Sequence, residues 1–221
     1  MRVALFGGSF DPPHRGHVAI ARAAADQFAL DAILFAPAGR QPLKPAGAGA
    51  SFEDRLAMVA LACAEDHSRF APSSLDAPLP DGQPNFTVDT LARLAAQQPG
   101  AHIFNLVGAD SFRDLPRWRQ PERLLDLAEW IVVSRPGFPL ADLAIGVPDL
   151  ATGFPDLALT DAQRSRVHLL GSVHEDVSAT LLRQRLHAGD PCSDLLPEGV
   201  SAYIRQHHLY LAGTGWPRET A

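Results

Sequence analysis

The chain opens on an apolar segment, residues 2–6, that runs directly into the loop Gly7-Gly8-Ser9-Phe10-Asp11-Pro12-Pro13-His14-Arg15-Gly16-His17. A short apolar run that stops at glycines is typical of a buried strand in a parallel sheet. Residues 16–30 then carry apolar side chains at helical spacing. The opening therefore predicts a strand, a glycine-rich loop and a helix.

The rest of the chain repeats this alternation, which predicts an α/β fold. The pattern places strands at 32–36, 70–75, 103–107, 130–133 and 167–170, helices at 52–65, 87–98, 178–187 and 197–208, and short helices within 110–126. Strands that alternate with helices form a parallel sheet. We expect a single doubly wound, Rossmann-like parallel sheet with helices on both faces. One domain spans residues 1–211, residues 212–221 are a frayed tail, and residues 138–166 are the least readable stretch.

The composition excludes several classes of protein. With 221 residues and a net charge of −6, the chain lacks the basic surface that nucleic acid requires. No apolar run is long enough for a bilayer and no signal peptide is visible, so we expect a cytoplasmic protein without a membrane partner. Cys63 and Cys192 lack disulfide or metal spacing and are predicted to be plain thiols. The only lysine, Lys44, precedes Pro45, which excludes a P-loop.

The loop after the first strand is the strongest candidate site. Gly7 and Gly8 allow the backbone to approach a ligand, and the following helix N-terminus favours an anion. The Rossmann Gly-x-Gly-x-x-Gly fingerprint does not occur. Instead His14, His17 and Ser9 share one loop, where two imidazoles and a hydroxyl can converge on phosphate oxygens.

Residues 7–17 resemble the HxGH signature of the nucleotidyltransferase superfamily, in the form found in its nicotinate-nucleotide adenylyltransferase branch. Ser178-Ala179-Thr180-Leu181-Leu182-Arg183 is similar to the second superfamily signature, Ser/Thr-x-Thr-x-x-Arg. One departure is Leu43, because members often carry a histidine before the loop lysine. Further similarity is found at residues 84–91, 108–111, 116–118, 134–138, 194–197 and 203–204.

The resemblance implies that ATP reacts with nicotinate mononucleotide to give nicotinate adenine dinucleotide and pyrophosphate. Its catalytic residues would be His14, His17, Lys44 and Arg183, and its phosphate-binding residues Gly7, Gly8, Ser9, Ser178 and Thr180. Catalysis would consist of positioning and of stabilising negative charge. Mg²⁺ would bridge the phosphates of ATP, with no separate protein metal site.

The resemblance further assigns the mononucleotide to Asn85, Thr87, Asp110 and Trp118. Each of these residues also has a structural alternative. Asn85 or Thr87 could cap the helix that follows, Asp110 could cap the short helix after its strand, and Trp118 could anchor the core. Ser178 could likewise be only an N-cap, and Trp130 is predicted to be core.

Two other functions stay open from the sequence. Another HxGH enzyme, such as a pantetheine-phosphate adenylyltransferase or a cytidylyltransferase, would share the phosphate motifs. A nucleotide sensor without activity would also bind ATP or NAD. The pattern predicts small-molecule substrates and leaves the oligomeric state open.

Overall fold

A computed structural model describes residues 1–42, 48–133, 160–171 and 177–211. Six strands form one parallel sheet in the order β3-β2-β1-β4-β5-β6. β2 and β3 are added on one side of β1, and β4, β5 and β6 on the other. This order confirms the predicted doubly wound sheet. The strands are β1 (Arg2–Gly8), β2 (Ala32–Pro37), β3 (Phe70–Pro72), β4 (His102–Gly108), β5 (Glu129–Val133) and β6 (Val167–Leu170).

The described ranges contain eight α-helices, of which six lie between strands and two follow β6, and two 3₁₀ turns, Ala64–Asp66 and Leu115–Arg117. Ser51 caps α2, because its Oγ accepts a hydrogen bond from the Asp54 N–H at 3.0 Å. The helices are α1 (Arg15–Gln27), α2 (Phe52–Cys63), α3 (Thr87–Gln97), α4 (Ala109–Arg113), α5 (Pro121–Leu127), α6 (Asp161–Arg164), α7 (Ala179–His187) and α8 (Glu198–Gln206).

Side chains that alternate along the strands build two separate cores, one on each face of the sheet. Phe6 of β1 packs with α1, α2, α7 and α8, whereas its neighbour Leu5 packs with α3, α4 and α5. Trp130 is fully buried in the second core, as predicted, and its indole N–H donates to the Leu124 carbonyl at 3.3 Å. The alternation explains why helices cover both faces.

Two histidines and a glutamate join three strands at the amino-terminal edge of the sheet. Nε2 of His102 on β4 and Nε2 of His168 on β6 each lie 2.6 Å from one carboxylate oxygen of Glu129 on β5. Burial alone would raise the pKa of Glu129, but the hydrogen bonds from His168 and His102 hold it below its ordinary value. The pair of contacts therefore ties β4, β5 and β6 together far from the strand ends that carry the candidate site.

Cys63 and Cys192 are buried free thiols, and burial raises the pKa of Cys63 to about 12, so this thiol stays protonated. None of the helices in the described ranges is long and apolar enough to cross a bilayer. The predicted tail, residues 212–221, and most of the stretch 138–166 lie outside the described residues.

The order of the strands reverses between β1 and β4, which are hydrogen-bonded neighbours with Phe6 opposite Leu106. In doubly wound sheets a ligand binds in the crevice at the carboxyl ends of the strands that flank this point. The loop after β1 and the start of α4 after β4 therefore form the two sides of the candidate site.

Candidate active site

Phe10 anchors the loop after β1 in the hydrophobic core. Phe10 is buried, adopts a left-handed backbone conformation with φ of 47°, and packs edge-on against Phe6 with ring centroids 5.4 Å apart. Gly7 is exposed, and a Cβ placed there would meet no atom within 4 Å. The backbone at Gly7 is consequently open, whereas a Cβ at Gly8 would meet the Phe10 ring at 3.2 Å.

The two histidines of the loop stack on one another. Their ring centroids lie 3.7 Å apart with 28° between the planes. His14 is buried and is the N-cap of α1, and its backbone N–H donates to Nδ1 of His17 at 3.2 Å. Because Nδ1 of His17 accepts this bond, the proton of the neutral ring lies on Nε2. The N–H of the neutral His17 ring therefore lies on the side away from the His14 backbone.

Asp11 connects the loop after β1 to two other parts of the chain. Its buried Oδ1 accepts hydrogen bonds from the hydroxyl of Tyr210 at 2.6 Å and from the N–H of Ala50 at 3.1 Å. Its Oδ2 accepts from the N–H of Gly49 at 2.7 Å. These bonds fix the loop relative to the segment before α2 and to the residues after α8. Sequence reasoning missed this role.

Arg183 joins the second predicted motif to the first. One terminal nitrogen, Nη1, donates to the carbonyl of Asp11 at 2.9 Å, and the other donates to Oγ1 of Thr180 at 3.3 Å. Ser178 is the N-cap of α7 and accepts from the N–H of Leu181 at 3.5 Å, so the capping alternative for Ser178 holds in the structure. Ser178 and Thr180 remain exposed at the start of α7, where both hydroxyls can also reach a ligand.

Arg55 is a second residue that the sequence did not reveal. It is buried, and its guanidinium donates to the carbonyls of Ser9 at 2.7 Å and Ala50 at 3.3 Å. Burial lowers its pKa, and the nearby carboxylate of Asp11 opposes that effect. Arg55 therefore connects the loop after β1, through the Ser9 carbonyl, to the segment before α2, through the Ala50 carbonyl.

Asn85 holds together the two loops that follow β2 and β3. Its Oδ1 accepts from the N–H of Arg40 at 3.0 Å, and its Nδ2 donates to the carbonyl of Ala77 at 2.8 Å. The N-cap of α3 is Phe86, without a side-chain cap bond, and α3 begins at Thr87. The capping alternative for Asn85 and Thr87 is therefore wrong, and the side-chain amide of Asn85 is engaged by backbone groups.

Asp76 lies in the same loop after β3 and contacts α3. Its Oδ1 accepts from the hydroxyl of Thr90 at 2.7 Å, and its carbonyl accepts from the N–H of Gly39 at 2.8 Å. Burial raises the pKa of Asp76 to about 6, although the bond from Thr90 and the nearby Arg93 act against that rise. This carboxyl group was not among the predicted residues.

The residues around Trp118 lie beside the first turn of α3. Trp118 is half-buried, and its ring centroid is 6.0 Å from that of Trp130, so it does anchor the second core. The guanidinium carbon of Arg119 is 4.7 Å from the centroid of the Phe86 ring, and one of its nitrogens is 4.0 Å from Asp89. A positive charge thus stands next to the N-terminus of α3.

Two predicted residues remain to be placed. Asp110 lies half-buried in the first turn of α4, directly after β4, but the N-cap of that helix is Gly108. The capping alternative for Asp110 is therefore wrong. Lys44 lies outside the described residues. Among the residues that the structure does describe, no group of three His, Cys, Asp or Glu side chains is arranged to hold a metal ion.

The sheet order, the stacked histidines and the arginine at the start of α7 define a nucleotidyltransferase of the HxGH type. Residues 5–185 of the chain match the cytidylyltransferase-like family. A protein of Synechococcus sp. named "Probable nicotinate-nucleotide adenylyltransferase" is 41% identical over 210 residues, which are 95% of this chain and 95% of the relative. A protein of the same name from Roseiflexus sp. is 42% identical over 208 residues, which are 94% of this chain and 97% of the relative.

The chain therefore belongs to the nicotinate-nucleotide adenylyltransferase family, and the resemblance drawn from its motifs is confirmed. Among solved structures, the nicotinic acid mononucleotide adenylyltransferase of Plasmodium falciparum complexed with NaAD is similar with a TM-score of 0.69. That similarity covers 95% of this chain and 97% of the other at 14% identity, so it supports the fold alone.

Proposed function

We propose that this protein transfers the adenylyl group of ATP to nicotinate mononucleotide, giving nicotinate adenine dinucleotide and pyrophosphate, a step of NAD synthesis. The observation that carries the proposal is the stacked pair of His14 and His17 at the carboxyl end of β1, in which Nδ1 of His17 accepts from the His14 N–H. The names of the relatives that cover nearly the whole chain support the same reaction.

The chemistry needs no nucleophile from the protein. An oxygen of the mononucleotide 5′-phosphate forms a bond to the α-phosphorus of ATP, while the bond from that phosphorus to the leaving pyrophosphate breaks. The attacking phosphate is already ionised at neutral pH, so the protein contributes positioning and charge stabilisation. In this role His14 and His17 donate N–H groups to oxygens of the α- and β-phosphates.

The start of α7 provides the second half of the phosphate site. Arg183 and the exposed hydroxyls of Ser178 and Thr180 would hold the β- and γ-phosphates, and the open backbone at Gly7 would allow the nucleotide to lie against β1. Lys44 would add a further positive charge to these phosphates.

We propose that Mg²⁺ arrives with ATP. Since the described residues provide no three-ligand protein cage, phosphate oxygens and water would supply most of the ligands, as Mg²⁺ commonly prefers. The ion would neutralise part of the charge on the phosphates. The protein's own donors then orient the same phosphates for in-line displacement.

The pyridine ring is proposed to bind between Trp118 and the start of α3. The N-terminal N–H groups of α3 at Thr87 and the guanidinium of Arg119 favour a carboxylate over a neutral amide. Asn85 would act by holding the two flanking loops, and Asp110 would accept hydrogen bonds from ribose hydroxyls. This arrangement predicts a preference for nicotinate mononucleotide over nicotinamide mononucleotide.

The test is pyrophosphate release with ATP, Mg²⁺ and a panel of acceptor phosphates. The expected result is a kcat/KM for nicotinate mononucleotide that exceeds that for nicotinamide mononucleotide by roughly 10² to 10³. Turnover only with pantetheine phosphate would assign a different enzyme of the class. Tight ATP binding without turnover of any acceptor would indicate a sensor and overturn the proposal.

A further inference from the structure

Asp76 is a half-buried acidic residue that none of the sequence motifs includes. It lies in the loop after β3, and its Oδ1 accepts from the hydroxyl of Thr90 on α3 at 2.7 Å. Its backbone carbonyl accepts from the N–H of Gly39, in the loop after β2, at 2.8 Å. A Cβ at Gly39 would lie 2.6 Å from Oδ1 of Asn85 and 2.7 Å from the backbone nitrogen of Pro78. The two loops and α3 therefore meet closely at Asp76.

The carboxyl group of Asp76 lies beside the N-terminus of α3. The Thr90 hydroxyl, its hydrogen-bond partner, is also 3.4 Å from the carbonyl oxygen of Phe86, the N-cap of that helix. Thr87, whose N–H group is proposed to receive the nicotinate carboxylate, follows Phe86 directly. At most two hydrogen-bond lengths therefore separate Oδ1 of Asp76 from the peptide group that joins Phe86 to Thr87.

The charged groups around Asp76 come from three other elements. Arg93 on α3 donates from Nη2 to the Thr90 hydroxyl at 3.2 Å, and Arg55 on α2 acts on the Asp76 carboxyl group more weakly. Arg40, in the loop after β2, donates to a backbone carbonyl of the loop after β3 at 2.8 Å. Arginine side chains keep their charge in proteins. The charge of Asp76, in contrast, changes near neutral pH, because burial raises its pKa to about 6.

We propose that Asp76 is a specificity-determining residue of the pyridine site between Trp118 and α3, because the charge on its carboxyl group sets how strongly the N-terminus of α3 favours nicotinate over nicotinamide. The inference rests on the proposed function. When the group is neutral, the N–H groups of α3 attract the nicotinate carboxylate at full strength. When it is ionised, its negative charge opposes that carboxylate and leaves the uncharged amide of nicotinamide almost unaffected.

The test is the ratio of kcat/KM for nicotinate mononucleotide to kcat/KM for nicotinamide mononucleotide, measured from pH 5 to pH 8. Groups that act on both substrates equally, such as the 5′-phosphate and the two site histidines, cancel in this ratio, and the nicotinate carboxyl group is ionised throughout. In the wild type the ratio should fall about fivefold as the pH rises through about 6. Asp76→Asn keeps an oxygen for the Thr90 hydroxyl but cannot ionise, so its ratio should stay at the low-pH value.

Asp89→Asn is the matched control, because Asp89 is an exposed carboxylate in the first turn of the same helix, 4.0 Å from Arg119. This variant should keep the fall in the ratio. A purely structural role of Asp76 predicts that Asp76→Asn changes kcat/KM for both mononucleotides by the same factor, so that the fall persists. A fall that persists in Asp76→Asn, one that is also lost in Asp89→Asn, or a wild-type ratio that does not change with pH overturns the inference.

The outcomes separate this inference from the proposed function. Turnover of nicotinate mononucleotide with a ratio independent of pH refutes the role of Asp76 alone. If the wild type releases no pyrophosphate with either mononucleotide, the readout becomes the ratio of their dissociation constants, measured by titration calorimetry over the same pH range, and a change of about fivefold is again expected. If neither mononucleotide binds, the proposed function and the inference are both refuted. Thermal unfolding at each pH checks that both variants are folded.

Discussion

Replacing Asp76 by asparagine should change how the stability of the protein depends on pH. The carboxyl group has a pKa of about 6 in the folded protein against 3.8 for the free side chain, because burial disfavours its charged form. At low pH the group is neutral in both states and its contribution to stability is complete. That contribution is lost as the pH rises from about 4 through 6, and the loss amounts to about 3 kcal/mol at neutral pH.

Asparagine has nearly the same shape and does not titrate. The difference in unfolding free energy between Asp76→Asn and the wild type should therefore move in favour of the variant by about 2 kcal/mol between pH 4.5 and pH 8. Urea unfolding followed by circular dichroism at several pH values measures it. Asp81→Asn, on the exposed loop nearby, should show no such trend. Parallel curves for Asp76→Asn and the wild type would refute the reasoning.

Three further predictions follow from the site and the sheet. His17→Ala should lower turnover on the order of 10² with a much smaller change in ATP affinity, since its hydrogen bond strengthens as charge develops; near-normal turnover would exclude that role. Arg119→Gln should reduce the preference for nicotinate over nicotinamide mononucleotide by about fivefold, whereas Arg117→Gln, an exposed arginine paired with Asp114, should leave it unchanged. Glu129→Gln should lower the unfolding free energy by about 1 to 2 kcal/mol, because both histidine contacts lose their charged acceptor. Thermal or urea unfolding measures this change, and an unchanged unfolding free energy would mean that these contacts contribute nothing to stability.

The sequence was informative where the signal is local. The order of strands and helices followed from the apolar spacing. The loop after β1 could be recognised as a candidate site because His14 and His17 are close together in sequence. Arg55 was missed because a buried arginine and a solvated one look alike within a helical pattern. Tyr210 was missed because its partner lies 199 positions away. Helix α6 was not predicted, although the sequence carries a signal for it. Thr160 and Gln163 form a capping box at its start.

The bond between Asp11 and Tyr210 also has a consequence for synthesis on the ribosome. β1 is made early but lies between β2 and β4, so it lacks one neighbour until β4 has emerged. Arg183 is translated 172 positions after Asp11, and Tyr210 later still. Since translation proceeds from the N-terminus, the loop after β1 acquires both of these bonds only after residue 210 has been added.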